Sequence, residues 1–156
     1  MSERKIYLAY GSNLNLRQMA HRCPTARVLG TSELKDYNLV FKGRYGNAHA
    51  TVEPCEGKSV PVLLWSITEA DEKRLDIYEG YPTYYIKKSV RVKLGRKVVE
   101  AMVYVMNEGF DFNPPSVYYY DTIREGYKEN NLQEKRLEEA FHYTAKEMRK
   151  SNGRKG

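Results

Sequence analysis

The residues of this chain that are best suited to chemistry fall into two short segments. The first is Tyr10-Gly11-Ser12-Asn13-Leu14, which follows a short apolar stretch. A glycine permits unusual backbone angles and lets a ligand approach the chain closely. Successive N–H groups in such a turn can hold an oxyanion, and the serine and asparagine side chains add donors. The same residues are common in ordinary turns, so composition alone leaves both interpretations open.

The second segment is Leu75-Asp76-Ile77-Tyr78-Glu79-Gly80, at the end of a predicted helix. A carboxylate in the last helical turn faces the negative end of the helix dipole. Burial under nearby tyrosines would also disfavour its charged form. Both effects raise the pKa of a carboxylate toward the range of a general base at neutral pH. The alternative is a solvated glutamate at a helix end.

Tyrosine is unusually frequent, with 14 copies. Tyr118, Tyr119 and Tyr120 follow Pro114-Pro115-Ser116 at a predicted helix start. Three consecutive helical residues point in different directions, so one or two of them at most can face a common site. Amphipathic packing is the alternative role for each.

No metal or cofactor site is indicated. The sequence lacks GxxxxGK[ST], GxGxxG, HExxH and GxSxG motifs. His21, His49 and His142 lie far apart without neighbouring ligands. Cys23 and Cys55 are isolated, and we predict that both are reduced thiols. We therefore expect neither a metal nor a cofactor.

The charge and hydropathy patterns predict a cytoplasmic protein without nucleic-acid or membrane partners. The net charge is +6, but residues 146–156 alone hold five basic side chains and one acidic one. The rest of the chain is nearly neutral and lacks the focused positive face that phosphate contacts require. Apolar runs such as Val60–Trp65 are far shorter than the ~18 residues of a membrane span, and no signal peptide is evident at the N-terminus.

These residues must be positioned by the strands and helices around them. The predicted strands come mainly early in the chain and the predicted long helices late, an order that favours an α+β fold. Period-two patterns predict strands at 5–10, 34–42, 48–53 and 60–67, and a hairpin of 84–93 and 98–106. Helices are predicted at 15–21, from an N-cap at Thr68 to a stop at Gly80, from a cap at Ser116 toward Asn130, and at 133–150. We predict one domain over residues 1–150 and a flexible basic tail at 151–156.

Taken together, these motifs resemble the γ-glutamylcyclotransferase family over about residues 5–145. Tyr7–Leu14 is similar to the family's signature loop, and Leu75–Gly80 to its catalytic Leu-Asp-x-x-Glu-Gly. The turn at 94–96 and the 43–47 region differ in length from relatives, which leaves substrate specificity open. The further matching segments are Cys23–Ala26, Leu34–Phe41, Ala50–Val52, Leu63–Trp65, Tyr85 after a one-residue deletion, Pro114–Ser116 with Tyr119, and Lys128–Leu132.

The resemblance implies a small mixed β-barrel of five to seven strands flanked by helices. It also implies release of 5-oxoproline from a γ-glutamyl amide, whose own α-amine attacks the γ-carbonyl. Glu79 would be the catalytic base and then acid. The substrate-binding residues would be the loop named above, with its N–H groups on the oxyanion, together with Tyr85 and Tyr119. Which of Tyr84 and Tyr85, and which of Tyr118, Tyr119 and Tyr120, face the site stays open.

The resemblance further implies a small-molecule γ-glutamyl substrate and a monomer or homodimer without metal or cofactor. One alternative is removal of a γ-glutamyl cap from a biosynthetic intermediate. Another is a binding module without turnover, against which Glu79 argues, because a binder needs no base at that position.

Overall fold

A computed structural model describes the backbone of residues 3–155 and the side chains of residues 3–153. It contains five strands, four α-helices and a 3-10 turn at Ser12–Leu14. The elements, in chain order, are β1 (Arg4–Ala9), α1 (Leu16–Arg22), β2 (Arg27–Arg44), β3 (Asn47–Thr68), α2 (Glu69–Glu79), β4 (Tyr85–Leu94), β5 (Lys97–Met106), α3 (Val117–Glu129) and α4 (Glu134–Lys155).

The strands form one mixed sheet in the order β2-β3-β1-β5-β4. Strands β1 and β5 are parallel, with Tyr7 opposite Met102, and the other pairs are antiparallel. The two edge strands approach each other where the Ser32 hydroxyl donates to the Lys93 carbonyl over 2.5 Å. The predicted α+β fold is thus confirmed with five strands. In the described part of the chain, the sheet curls without a closing ladder between β2 and β4.

Strands β2 and β3 are much longer than predicted. They absorb residues 27–33 and 54–59, which are largely exposed or half-buried and carry little apolar alternation. Register shifts at Val28/Gly30 and Lys35/Tyr37 further obscure the period-two pattern. Pairing between the two strands, which no local pattern reveals, holds these segments in the sheet.

Helix α2 has the predicted caps. The Thr68 hydroxyl accepts the Asp71 N–H, and the Asp71 carboxylate accepts the Thr68 N–H, which forms a capping box. Gly80 ends the helix in the left-handed conformation, with φ 66°. These local signals define both ends of α2 and place Glu79 in its last turn.

The two late helices also begin near their predicted positions. The Ser116 hydroxyl accepts the Tyr119 N–H at the start of α3. Helix α4 packs on β2, where the buried Thr144 hydroxyl accepts the Phe41 N–H over 3.0 Å. It extends through Lys155, past the predicted end at residue 150, because its last residues are polar but compatible with a helix.

No helix of residues 3–155 has the length and apolar character to cross a membrane.

Candidate active site

A cavity of about 180 Å³ lies where the loop after β1, the end of α2 and the start of α3 meet the sheet. Every predicted site residue except Leu14 lines it. The lining residues are Tyr7, Tyr10, Gly11, Ser12, Asn13, His49, Ala50, Tyr78, Glu79, Tyr84, Tyr85, Tyr104 and Tyr119.

The loop after β1 lines this cavity with residues whose backbone donors are unused. Its tight turn is closed by the Leu14 N–H on the Gly11 carbonyl (3.0 Å) and the Asn15 N–H on the Ser12 carbonyl (3.1 Å). The N–H groups of Gly11, Ser12 and Asn13 have no hydrogen-bond partner among residues 3–153. Three consecutive unused donors at a cavity wall can accept a negatively charged oxygen.

Asn13 holds the loop in place through three contacts. Its side-chain amide donates to the Tyr7 hydroxyl over 2.9 Å. Its side-chain carbonyl accepts from Arg22, and its backbone carbonyl accepts the Trp65 indole N–H over 3.1 Å. Because all three partners lie on neighbouring elements, the loop keeps its shape without a ligand.

Leu14 supports the loop from the core instead of lining the cavity. Its side chain is fully buried. Behind it, Gly126 of α3 comes so close that an added Cβ would lie 2.8 Å from both Leu14 and the Asn15 backbone nitrogen. The position of Leu14 therefore gives no support to the predicted substrate contact. Gly126, which sequence reasoning did not single out, sets the distance between α3 and the loop.

Glu79, the last residue of α2, lines the cavity with a carboxylate that makes no hydrogen bond or ion pair to residues 3–153. Desolvation by burial raises its pKa to about 7, and the Arg22 guanidinium partly opposes this shift. A carboxylate that titrates near neutrality can both take up and return a proton.

Arg22 was not predicted from the sequence and contacts three residues that line the cavity. Its guanidinium lies 3.4 Å from the centroid of the Tyr78 ring and donates to the Ser12 hydroxyl over 3.2 Å. It therefore brings a positive charge to the loop side of the cavity, next to Glu79. The arginine lies in the last turn of α1, only nine residues after Asn13, and that proximity was the signal available in the sequence.

The tyrosine wall is organised around Ala50 on β3. The Ala50 N–H donates to the Tyr119 hydroxyl over 3.0 Å, and the Ala50 carbonyl accepts from the Tyr85 hydroxyl over 2.7 Å. Of the three consecutive tyrosines in α3, Tyr119 alone lines the cavity. Tyr118 is exposed, and Tyr120 packs against Phe41 of the core and Phe141 of α4.

The cavity is also lined by three residues that were not predicted, His49, Tyr7 and Tyr104. Tyr84, left open as an alternative to Tyr85, lines it as well, so both tyrosines face the cavity. The spacing of the histidine in the sequence bears only on metal binding. No group of three His, Cys, Asp or Glu side chains able to hold a metal occurs in the described part of the chain.

Both cysteines are free thiols. Burial raises the pKa of the Cys23 thiol to about 12, so it is protonated at neutral pH and is not an activated nucleophile.

The cavity therefore combines three features. It has a carboxylate, Glu79, with a pKa of about 7, unused backbone donors on the loop after β1, and walls made of tyrosine side chains.

Comparison with known proteins agrees with this geometry. The family described as "Gamma-glutamyl cyclotransferase, AIG2-like" matches residues 7–126. The Gamma-glutamylcyclotransferase of Homo sapiens is 30% identical over 136 residues, which cover 81% of this chain and 72% of that protein. The Bos taurus protein of the same name is also 30% identical over 136 residues, with the same coverage.

Solved structures show the same architecture. One described as "Gamma-glutamyl cyclotransferase" superposes with a TM-score of 0.80 at 27% identity, covering 88% of this chain and 86% of that one. A yeast γ-glutamyl cyclotransferase described as specific to glutathione shares the fold alone, with a TM-score of 0.64 at 12% identity over 98% of this chain and 97% of that one. The chain belongs to the γ-glutamylcyclotransferase (AIG2-like) family.

Proposed function

We propose that this protein releases 5-oxoproline from small-molecule γ-glutamyl amides. The observation that carries the proposal is Glu79, an unpaired carboxylate whose pKa is raised to about 7, in the same cavity as the unused N–H groups of the loop after β1. Both groups are what an internal acyl transfer from one nitrogen to another requires.

The reaction transfers the γ-glutamyl carbonyl carbon between two nitrogens of one substrate. The α-ammonium loses a proton to the Glu79 carboxylate, and the free amine attacks the γ-carbonyl carbon. A new C–N bond closes the five-membered lactam. The tetrahedral intermediate then expels the original amide nitrogen, which takes the first proton back from Glu79; the extra proton left on the ring nitrogen passes to the departing amine, which leaves as an ammonium. No proton is gained or lost overall, because one group serves as base and then as acid.

The oxyanion of the tetrahedral intermediate needs donors that are already in place. The N–H groups of Gly11, Ser12 and Asn13 are suited to this role, since the loop is fixed by contacts to neighbouring elements. One such donor is worth about 3 kcal/mol of barrier. The substrate's own amine is the nucleophile, so the protonated state of Cys23 is no obstacle.

The tyrosine wall would hold the amine over the carbonyl. Tyr85 and Tyr119 are fixed through Ala50, and a preorganised pocket of this kind can supply several kcal/mol through orientation. Removal of a γ-glutamyl cap from a biosynthetic intermediate uses the same chemistry and is not favoured by any feature of the cavity. The expectations of a cytoplasmic monomer or homodimer without nucleic-acid or membrane partners stay predictions.

The test is to incubate the protein with a panel of γ-glutamyl dipeptides and γ-glutamyl amines and to follow 5-oxoproline by mass spectrometry. We expect an enzyme-dependent signal from at least one of these compounds. α-Glutamyl dipeptides are the matched control, because their peptide carbonyl is not at the γ position. Absence of 5-oxoproline from every γ-glutamyl compound would contradict the proposal.

A further inference from the structure

Four rings form a continuous row from the wall of the cavity to a partly exposed phenylalanine. We call Tyr119, His49, Tyr84 and Phe110 the aromatic row. The ring centroids of Tyr119 and His49 are 4.9 Å apart, those of His49 and Tyr84 are 5.7 Å apart, and those of Tyr84 and Phe110 are 5.1 Å apart. Every contact is edge-to-face, the geometry that aromatic rings prefer.

The two ends of the row differ in their surroundings. At the inner end, the Tyr119 hydroxyl lies 3.5 Å from the position that a Cβ on Gly11 would occupy, so it adjoins the oxyanion donors. At the outer end, Phe110 is 37% exposed. The row therefore leads from the reacting centre toward solvent, as a leaving-group path must.

The charged groups at the cavity indicate where each half of the substrate would lie. Glu79 is the one charged residue among those that line the cavity in the described structure. The nearby cation, Arg22, contacts Ser12, Asn13 and Tyr78 on the loop side. That positive charge would attract the α-carboxylate of the glutamyl group. The amide's leaving group is then directed along the row.

His49 is the polar member of the row, and it is held in place. Its Nδ1 lies 2.8 Å from the Tyr84 hydroxyl. Burial lowers the pKa of His49, so its imidazole is neutral at neutral pH. A leaving group along the row therefore meets flat, uncharged ring surfaces.

Resting on the function proposed above, we propose that the aromatic row is the leaving-group subsite and that it selects γ-glutamyl amides of amines that carry an aromatic ring over those of small amines. An aromatic ring in this path extends the series of edge-to-face contacts. A small amine leaves the row unused. His49 and Phe110 are accordingly the residues that determine specificity.

The test compares three substrates: γ-glutamyl-phenethylamine, γ-glutamyl-ethylamine and γ-glutamylglycine. We expect kcat/KM for the phenethyl compound to exceed that for the ethyl compound by roughly 10-fold, the worth of one or two ring contacts. In His49→Ala and in Phe110→Ala this ratio should fall toward one. Because Phe110 is partly exposed, its variant tests the proposal even if the His49 variant fails to fold.

Tyr143→Ala is the matched control, since Tyr143 is a half-buried aromatic residue of α4 whose ring contacts Phe112, outside the row. It should keep the full ratio. Equal kcat/KM for the phenethyl and ethyl compounds, a preference for γ-glutamylglycine, or an unchanged ratio in Phe110→Ala would each overturn the subsite. Those results still require 5-oxoproline to form, whereas failure of the proposed function would leave every substrate unreacted.

Discussion

The hydroxyl of Tyr104 donates a 2.6 Å hydrogen bond to the carboxylate of Asp76. Asp76 lies three residues before Glu79 on α2, and its carboxylate also forms a 2.9 Å ion pair with Lys87 of β4. These contacts tie the last turn of α2 to β4 and β5. The orientation of the Glu79 carboxylate in the cavity therefore depends on Asp76.

We predict that Asp76→Ala lowers kcat by about 10-fold to 100-fold, because a small displacement of a reacting group has an effect of this size. It should also reduce the free energy of unfolding by about 1–3 kcal/mol, since Lys87 and the buried Tyr104 each lose a partner. Glu69→Ala, at the exposed start of the same helix, should change neither. Rates at saturating substrate and thermal unfolding measure both effects. A destabilised Asp76→Ala protein with unchanged kcat would limit Asp76 to a structural role.

Glu79 should make the folded state less stable as pH rises. Burial raises its pKa from 4.5 to about 7, so the folded state binds this proton more tightly than the unfolded state does. The contribution of Glu79 to unfolding free energy thus decreases between about pH 4.5 and 7 and stays low above that range. Glu79→Gln should raise Tm at pH 8 and change it less at pH 5. A variant that is less stable than the parent at pH 8 would show that the carboxylate is stabilised in the folded state.

Two helical glycines provide a matched pair. Gly126 contacts Leu14 and Asn15, so Gly126→Ala should push the loop away and destabilise the fold by about 1–3 kcal/mol, as overpacking does. Gly153 of α4 faces open space, and Gly153→Ala should be neutral or stabilise by up to about 1 kcal/mol. Denaturant unfolding of the two variants measures the difference. Similar stabilities would show that α3 can move away from the loop at little cost.

Gly11 is needed for space and not for a left-handed conformation. Its φ is −122°, whereas an added Cβ would lie 3.3 Å from the Ala50 Cβ and 3.5 Å from the Tyr119 hydroxyl. We predict that Gly11→Ala lowers the rate of 5-oxoproline release by about 100-fold, because the Cβ displaces oxyanion donors, while unfolding free energy changes by less than about 1 kcal/mol. Tm and rate should be measured on the same variant. A destabilised variant with normal turnover would assign Gly11 to architecture.

The elements that could be predicted from sequence are those controlled by local chemistry. Thr68 and Gly80 define α2 because capping and left-handed turns depend on a few adjacent residues. The outer parts of β2 and β3 could not be predicted, because exposed edge segments carry no apolar period and depend on pairing. The residues of the candidate site also divide into those indicated by local motifs and those placed by strand pairing. The loop and Glu79 were found through their motifs, whereas His49 and Tyr104 face the cavity because of strand register, which a single sequence does not contain.

The most direct measurement of the central claim is 5-oxoproline release by Glu79→Gln, with Glu69→Gln as the control from the other end of α2. The glutamine is nearly isosteric with the glutamate but cannot accept the ammonium proton. We predict that Glu79→Gln remains folded and loses turnover by at least 100-fold, within the range of general acid–base catalysis, while Glu69→Gln matches the parent. Activity of folded Glu79→Gln within about threefold of the parent would contradict the role of Glu79 as the base.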